Sequence, residues 1–146
     1  MSAIQAFEQT IYPPLVQRLI DELGYPVLGR EDLAGFVSDD QVGVLFFTED
    51  ARKYPETNDV AVVLPELVKH YQGRLKPAII LREDEKVLQK LYDFYQWPNL
   101  VFIRGQHYLG SIGKIRDWHV YLERIDALLE AEPTRPPGGD IPLLTA

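Results

Sequence analysis

VGVLFFTED, at residues 42–50, begins as an almost continuous apolar run and ends in three polar residues. Such a run is typical of a β-strand that is covered on both faces. Two further apolar runs, Pro77 to Leu81 and Leu100 to Ile103, predict two more buried strands. The turn residues Arg104-Gly105-Gln106 then predict a hairpin, with His107 to Ile112 as the return strand. Together these segments predict a sheet of four strands.

Apolar residues at helical spacing flank and separate the strands. Pro14 is suited to the first turn of a helix, and Gly24 to its end. Asn58 or Asp59, Asp84 and Asp117 are the candidate N-caps of three later helices. The predicted core faces are Ile4, Phe7 and Ile11; Leu15, Leu19 and Leu23 with Val16 and Ile20; Val60, Val63, Leu64, Leu67, Val68 and Tyr71; Val87, Leu88, Leu91, Tyr92 and Tyr95; and Trp118, Tyr121, Leu122, Ile125, Leu128 and Leu129.

The order of these elements is helix, strand, helix, strand, helix, strand, strand, helix. Strands that alternate with helices favour parallel pairing, and the hairpin at Gly105 adds an antiparallel pair. We therefore expect an α/β fold, with a central mixed sheet and helices on both faces. Residues 1–130 are expected to form the domain, while residues 131–146, rich in proline and glycine, are expected to be a flexible tail.

Composition limits the function. The net charge of −7 makes nucleic acid an unfavourable partner and a basic peptide a favourable one. The chain has no cysteine, so it offers no thiolate and no thiolate ligand for zinc. It also shows neither a signal peptide nor an apolar stretch of membrane-spanning length, so we expect a cytoplasmic protein without membrane insertion.

The element order and several local segments resemble the thioredoxin fold. In that family a first core strand leads into a Cys-x-x-Cys loop, and here the two cysteine positions fall on Ala51 and Tyr54. The buried carboxylate of thioredoxins falls on Leu45, and the proline that kinks the next helix resembles Pro65. The segment WPNLVFI, at residues 97–103, resembles the thioredoxin strand that follows a cis-proline, so we predict a cis Trp97–Pro98 bond. The resemblance implies a thioredoxin-like domain that is redox-inactive.

Within that fold the chain is similar to the hydrogenase-expression accessory proteins of the HyaE/HupG type. The segment from Thr48 to Asp59, which replaces the cysteine loop, carries this resemblance together with residues 97–103 and the Gly105 hairpin. It implies a non-enzymatic, chaperone-like role in nickel-iron hydrogenase maturation. The implied partner is the hydrogenase small-subunit precursor with its twin-arginine signal peptide, and no cofactor is implied.

Six residues are candidates for contact with that partner: Glu49, Asp50, Tyr54, Glu56, Trp97 and Pro98. The carboxylates would bind arginines, the aromatic rings would bind the apolar run of the peptide, and the Trp97 backbone would pair with an extended strand. The sequence also allows the acidic loop to be an ordinary solvated loop and Trp97 to be an ordinary core residue.

Two other functions stay open at this point. One is a cysteine-independent, glutathione-binding enzyme in which Tyr12, Ser38 or Thr48 acts through its hydroxyl, and the other is a generic protein-interaction module. The three histidines are dispersed and predict no metal site. The segment GSIGK, at residues 110–114, lacks the spacing of a phosphate-binding loop.

Overall fold

The computed structural model describes residues 12–139. Its strands are β1 (Val27–Leu28), β2 (Val42–Phe47), β3 (Leu75–Ile80), β4 (Asn99–Arg104) and β5 (His107–Gly113). Its α-helices are α1 (Pro14–Asp21), α2 (Glu56–His70), α3 (Glu85–Tyr92) and α4 (Trp118–Glu130). A 3₁₀ helix, Arg30–Gly35, precedes β2, and a short one, Arg82–Asp84, precedes α3. The helix predicted from Ile4, Phe7 and Ile11 lies outside the described residues.

The strands form one mixed sheet in the order β1-β3-β2-β4-β5. All six residues of the central strand β2 are buried, as the VGVLFF run predicts. β2 runs parallel to β3 and antiparallel to β4, and β4 and β5 form the predicted hairpin. β1 was not predicted, because its two residues are too few to show a pattern; it pairs with β3 through Val27 and Ile79.

Helices cover both faces of the sheet, as predicted. Alternate residues of β2 point to opposite faces, so Val44 and Phe46 belong to one apolar cluster and Leu45 and Phe47 to the other. The first cluster packs under α1, α2 and α4, while the second packs under α3 and the 3₁₀ helix Arg30–Gly35. This α/β arrangement is the thioredoxin-like fold class that the sequence predicts.

Two predicted helix faces need correction. In α1 the buried residues are Val16 and Leu19, whereas Leu15 is 37% exposed and lies to one side of them. Leu23 follows the end of the helix and is 42% exposed. Trp118 occupies the first position of α4 and is 43% exposed, because it packs against His70 rather than into the sheet.

Two helix ends also differ from the prediction. Neither Asn58 nor Asp59 caps α2, since Pro55, with a helical φ of −59°, already stands at its N-cap. α3 starts after Asp84 as predicted, but it stops at Tyr92 because Asp93 adopts a left-handed conformation with φ of 54°. Tyr95 therefore lies outside the helix and does not belong to the core face that the sequence predicts.

The part of the predicted tail that is described makes specific contacts. The N–H and C=O groups of Thr134 pair with those of Tyr108, at the free edge of β5. The Gly138 N–H then donates to the Leu91 carbonyl near the end of α3 at 2.7 Å. Residues 131–139 thus cross from α4 around the β5 edge to α3; residues 140–146 lie outside the described part.

Candidate functional site

The loop that replaces the cysteine motif leaves the carboxyl end of β2 and is ordered by its own hydrogen bonds. Asp50 accepts hydrogen bonds from the Arg52 backbone N–H at 2.9 Å and from its guanidinium Nε and Nη2 at 3.2 and 3.0 Å. The side-chain bond from Arg52 holds the pKa of Asp50 below its ordinary value. The Tyr54 N–H donates to the Asp50 carbonyl, and the Thr57 hydroxyl donates to the Thr48 carbonyl at 2.7 Å. Asp50 therefore stabilises the conformation of the loop through hydrogen bonds to other loop residues.

The other two loop carboxylates among the candidates also have partners inside the protein. Glu49 Oε2 lies 3.2 Å from Lys86 Nζ. Glu56 Oε2 accepts the Ile115 N–H at 3.2 Å and so joins the start of α2 to the segment after β5. Two of the three candidate carboxylates, Glu49 and Asp50, are therefore already paired with cations of the protein, and the third accepts a backbone N–H.

Trp97 is a core residue, which decides between the two alternatives that the sequence allowed. The whole residue is 7% exposed, and its ring packs edge-on against Phe94 and Phe47, with ring centroids 5.0 and 6.1 Å away. Lys86 Nζ lies over the ring, 5.1 Å from its centroid. The indole is therefore part of the core beneath the loop and is not an exposed contact residue.

The Trp97–Pro98 bond is cis, as predicted. The Pro98 carbonyl accepts the Lys114 N–H at 2.7 Å. Within residues 12–139, the backbone N–H and C=O of Trp97 take part in no hydrogen bond. These two groups lie at the carboxyl end of β2 and have no hydrogen-bond partner among the described residues.

An open groove of about 430 Å³ lies beside these groups. We call it the aromatic groove; its walls include Lys53, Tyr54, Glu56, Tyr95, Trp97 and Lys114. Tyr95 is 82% exposed, and its one side-chain hydrogen bond within residues 12–139 runs from its hydroxyl to Asp93. The Tyr54 and Trp97 ring centroids are 6.5 Å apart. Tyr95 was missed as a site residue because its helical spacing from Leu91 and Tyr92 pointed to the core.

A second opening, of about 810 Å³, lies on the other side of the loop. We call it the carboxylate cavity; its walls include Tyr12, Glu49, Ala51, Arg82, Glu83 and Glu85. Ala51 faces this cavity and Tyr54 faces the aromatic groove, so the two former cysteine positions mark the two sides of the loop.

Glu85 is a buried carboxylate that sequence reasoning missed. It is 2% exposed, and both of its oxygens accept the same Glu49 N–H, at 3.0 and 3.3 Å. Burial raises the pKa of Glu85 to about 8. The position that aligns with the buried thioredoxin carboxylate, Leu45, is fully buried in the sheet.

The hydroxyls considered for glutathione chemistry do not form a common site. Thr48 is fully buried, and Ser38 lies before β2, at the opposite end of the strand. Burial raises the pKa of Tyr12, so its hydroxyl is a weaker acid than usual. No group of three metal-ligating side chains occurs among residues 12–139, and no helix in that range has the length and apolar character to span a bilayer.

Sequence relationships identify the family. The profile described as Hydrogenase-1 expression protein HyaE matches residues 15–121. The chain belongs to the HyaE family. It is 49% identical over 119 residues to the hydrogenase expression/formation protein HoxO of Azotobacter vinelandii, covering 82% of this chain and 80% of that protein. It is 38% identical over 130 residues to HupG of Rhizobium leguminosarum bv. viciae, covering 88% and 81% of the two chains.

One solved structure agrees with this membership, and a second agrees with the fold. A crystal structure of the hydrogenase expression/formation protein hupG from Rhodopseudomonas palustris aligns with a TM-score of 0.52 at 36% identity, covering 71% of this chain and 94% of that one. A thioredoxin mutant from Halobacterium salinarum aligns with a TM-score of 0.57 at 19% identity, covering 74% and 95%. This HyaE-family protein is therefore a hydrogenase expression/formation protein with a thioredoxin-like fold.

Proposed function

We propose that this protein is a non-enzymatic, chaperone-like accessory factor that binds the hydrogenase small-subunit precursor through its twin-arginine signal peptide. Its family places the chain in hydrogenase expression and formation. The absence of cysteine leaves no thiolate for thiol–disulfide exchange. The loop and its two openings instead form the surface to which we assign the signal peptide. Binding would take place in the cytoplasm, before export of the precursor.

The observation that carries the proposal is the unpaired backbone of Trp97 beside the aromatic groove. An extended peptide can pair with such a free N–H and C=O, as a strand pairs with a sheet edge. The adjoining groove then offers Tyr54 and Tyr95 to apolar side chains of the same peptide. A signal peptide in an extended conformation supplies both features, since it contains an apolar run.

The six candidate residues take different parts in this proposal. Trp97 and Pro98 provide the backbone edge, and Tyr54 provides an aromatic wall. Glu49, Asp50 and Glu56 already have internal partners, so they act on a basic peptide mainly through long-range attraction. Exposed ion pairs of this kind contribute only about 0–1 kcal/mol each.

Tyr95→Ala tests the groove without disturbing the core, because the ring is 82% exposed. We expect the variant to fold normally and its Kd for the signal peptide to rise about tenfold or more, as truncation of an aromatic interface anchor does. Trp97→Ala is a poor test by comparison, since removing a buried aromatic ring costs about 3–5 kcal/mol of stability.

The matched control is Trp118→Ala, which removes another exposed aromatic ring. Trp118 packs on His70 at the last residue of α2, whereas the groove lies at the start of that helix, about 20 Å away. Calorimetry with a synthetic signal peptide measures both variants. An unchanged Kd for a folded Tyr95→Ala protein, or equal losses for both variants, would contradict binding in the groove.

A further inference from the structure

The carboxylate cavity carries an unbalanced set of charges when Glu85 is ionised. Two of its ion pairs are satisfied, Glu49 with Lys86 at 3.2 Å and Asp50 with Arg52 at 3.0 Å. Within the described part of the chain, neither Glu83 nor Glu85 forms an ion pair, and Arg82 forms none either. When Glu85 is ionised, two carboxylates therefore share the cavity with one guanidinium outside these ion pairs, so one more positive charge would balance the set.

Glu85 also has unused hydrogen-bonding capacity. An ionised carboxylate can accept about four hydrogen bonds, yet within residues 12–139 the two Glu85 oxygens share a single donor, the Glu49 N–H. The side chain is 2% exposed and lies on the wall of the cavity. A buried carboxylate with so few donors is costly to ionise without a cation beside it.

We infer that the carboxylate cavity is a subsite for a basic side chain, preferably an arginine, of a bound peptide, with Glu85 as the carboxylate that binds it. The inference rests on the proposed function for the identity of the peptide. A volume of about 810 Å³ is ample for a guanidinium and its stem. Arginine is favoured over lysine because its planar fork makes two bonds to one carboxylate and because it is more weakly hydrated.

The subsite complements the aromatic groove. The groove carries Lys53 and Lys114 against Glu56, so it is unsuited to arginines. The loop thus separates the carboxylate cavity, which suits basic side chains, from the aromatic groove, which suits apolar ones. A twin-arginine signal peptide combines both kinds of side chain in one short segment, and each opening receives the part that matches its lining.

Binding a cation at Glu85 requires the loss of a proton. Burial is the main cause that raises the pKa of Glu85 to about 8, and the Glu49 carboxylate adds to it; the Glu49 N–H, Arg82 and Lys86 act in the opposite direction. Tyr12, which also faces Glu85, stays protonated because its own pKa is raised. At pH 7 Glu85 is mostly neutral, so an entering guanidinium displaces its proton, and affinity rises with pH up to about 8.

The experiment compares two synthetic signal peptides, one with the arginine pair and one with glutamines in its place. We expect the wild-type protein to prefer the arginine peptide at least tenfold at pH 7, and Glu85→Gln to bind both peptides equally. The amide oxygen that this substitution introduces can still accept the Glu49 N–H. Glu83→Gln, at an exposed residue, should reduce the preference a few-fold, and Glu123→Gln, on the opposite face of the sheet, should leave it unchanged.

Calorimetry in two buffers of different ionisation enthalpy adds an independent readout. The wild-type protein should release a proton on binding the arginine peptide at pH 7, and Glu85→Gln should release none. A Glu85→Gln protein that keeps either the preference or the proton release would overturn the subsite while leaving the proposed function intact.

If the wild-type protein binds neither peptide, the proposed function fails and the subsite is tested with N-acetyl-arginine amide alone. This probe should shift the Glu49 and Ala51 amide resonances of the wild-type protein and leave those of Glu85→Gln unshifted. Unshifted resonances in the wild-type protein at saturating probe concentration would overturn the subsite as well.

Discussion

Glu85 links the site to the stability of the protein. Its pKa is about 8 in the folded chain, against an ordinary value of 4.5, so the folded state holds the proton more tightly than the unfolded state. The stabilisation from this proton is complete below about pH 4.5 and is lost as the pH rises through 8. Each pKa unit of difference corresponds to about 1.4 kcal/mol.

We therefore predict that Glu85→Gln removes a pH-dependent part of the free energy of unfolding. The wild-type protein should lose stability between about pH 5 and pH 8, while the variant should lose markedly less, because glutamine does not titrate. Urea unfolding at about pH 5, 6.5 and 8 measures the difference. Parallel pH curves for the two proteins would show that Glu85 ionises normally in the folded state.

Single residues also show how far the sequence predicts the site. The sequence alone shows that Ala51 and Tyr54 stand where thioredoxins have their two cysteines. It also shows the proline of the cis bond, Pro98. Glu85 and Tyr95 were missed for opposite reasons. Glu85 looks like an ordinary charged residue in the first turn of a helix, and Tyr95 has helical spacing until Asp93 ends the helix.

At the scale of elements, local patterns predict four of the five strands, β2 to β5, and most of the helices correctly. The apolar pattern is strong where a strand is buried on both faces, as in β2. It is weak at helix ends, where a single residue such as Pro55 determines where the helix begins. The carboxylate cavity joins Tyr12, Glu49 and Glu85, which are far apart in the chain. Local sequence patterns do not show which distant residues lie together in the fold, so the cavity could not be predicted.

The described part of the tail gives a test at this scale. Gly138 lies so close to α3 that an added Cβ would overlap the Lys90 carbonyl oxygen. We predict that Gly138→Ala releases this end of the tail and breaks the Gly138–Leu91 hydrogen bond, while the core stays folded. Hydrogen exchange at the residue 138 amide should become much faster, whereas exchange in β2 should be unchanged. Unchanged exchange at residue 138 would contradict the observed docking.

The whole molecule places both openings around one loop at the carboxyl end of β2. Hydrogen bonds attach this loop to α2 and α3, since the Thr57 hydroxyl donates to the Thr48 carbonyl and Glu85 accepts the Glu49 N–H. In the proposed function, the net charge of −7 attracts the basic segment of the peptide, and apolar burial in the groove supplies most of the affinity.

The most direct test of the proposed function is calorimetry of the hydrogenase small-subunit precursor, with and without its signal peptide, against the wild-type protein. We predict that removal of the signal peptide weakens binding at least tenfold, about 1.4 kcal/mol or more. Equal affinity for the two forms would contradict the proposal, because the signal peptide would then contribute nothing to recognition.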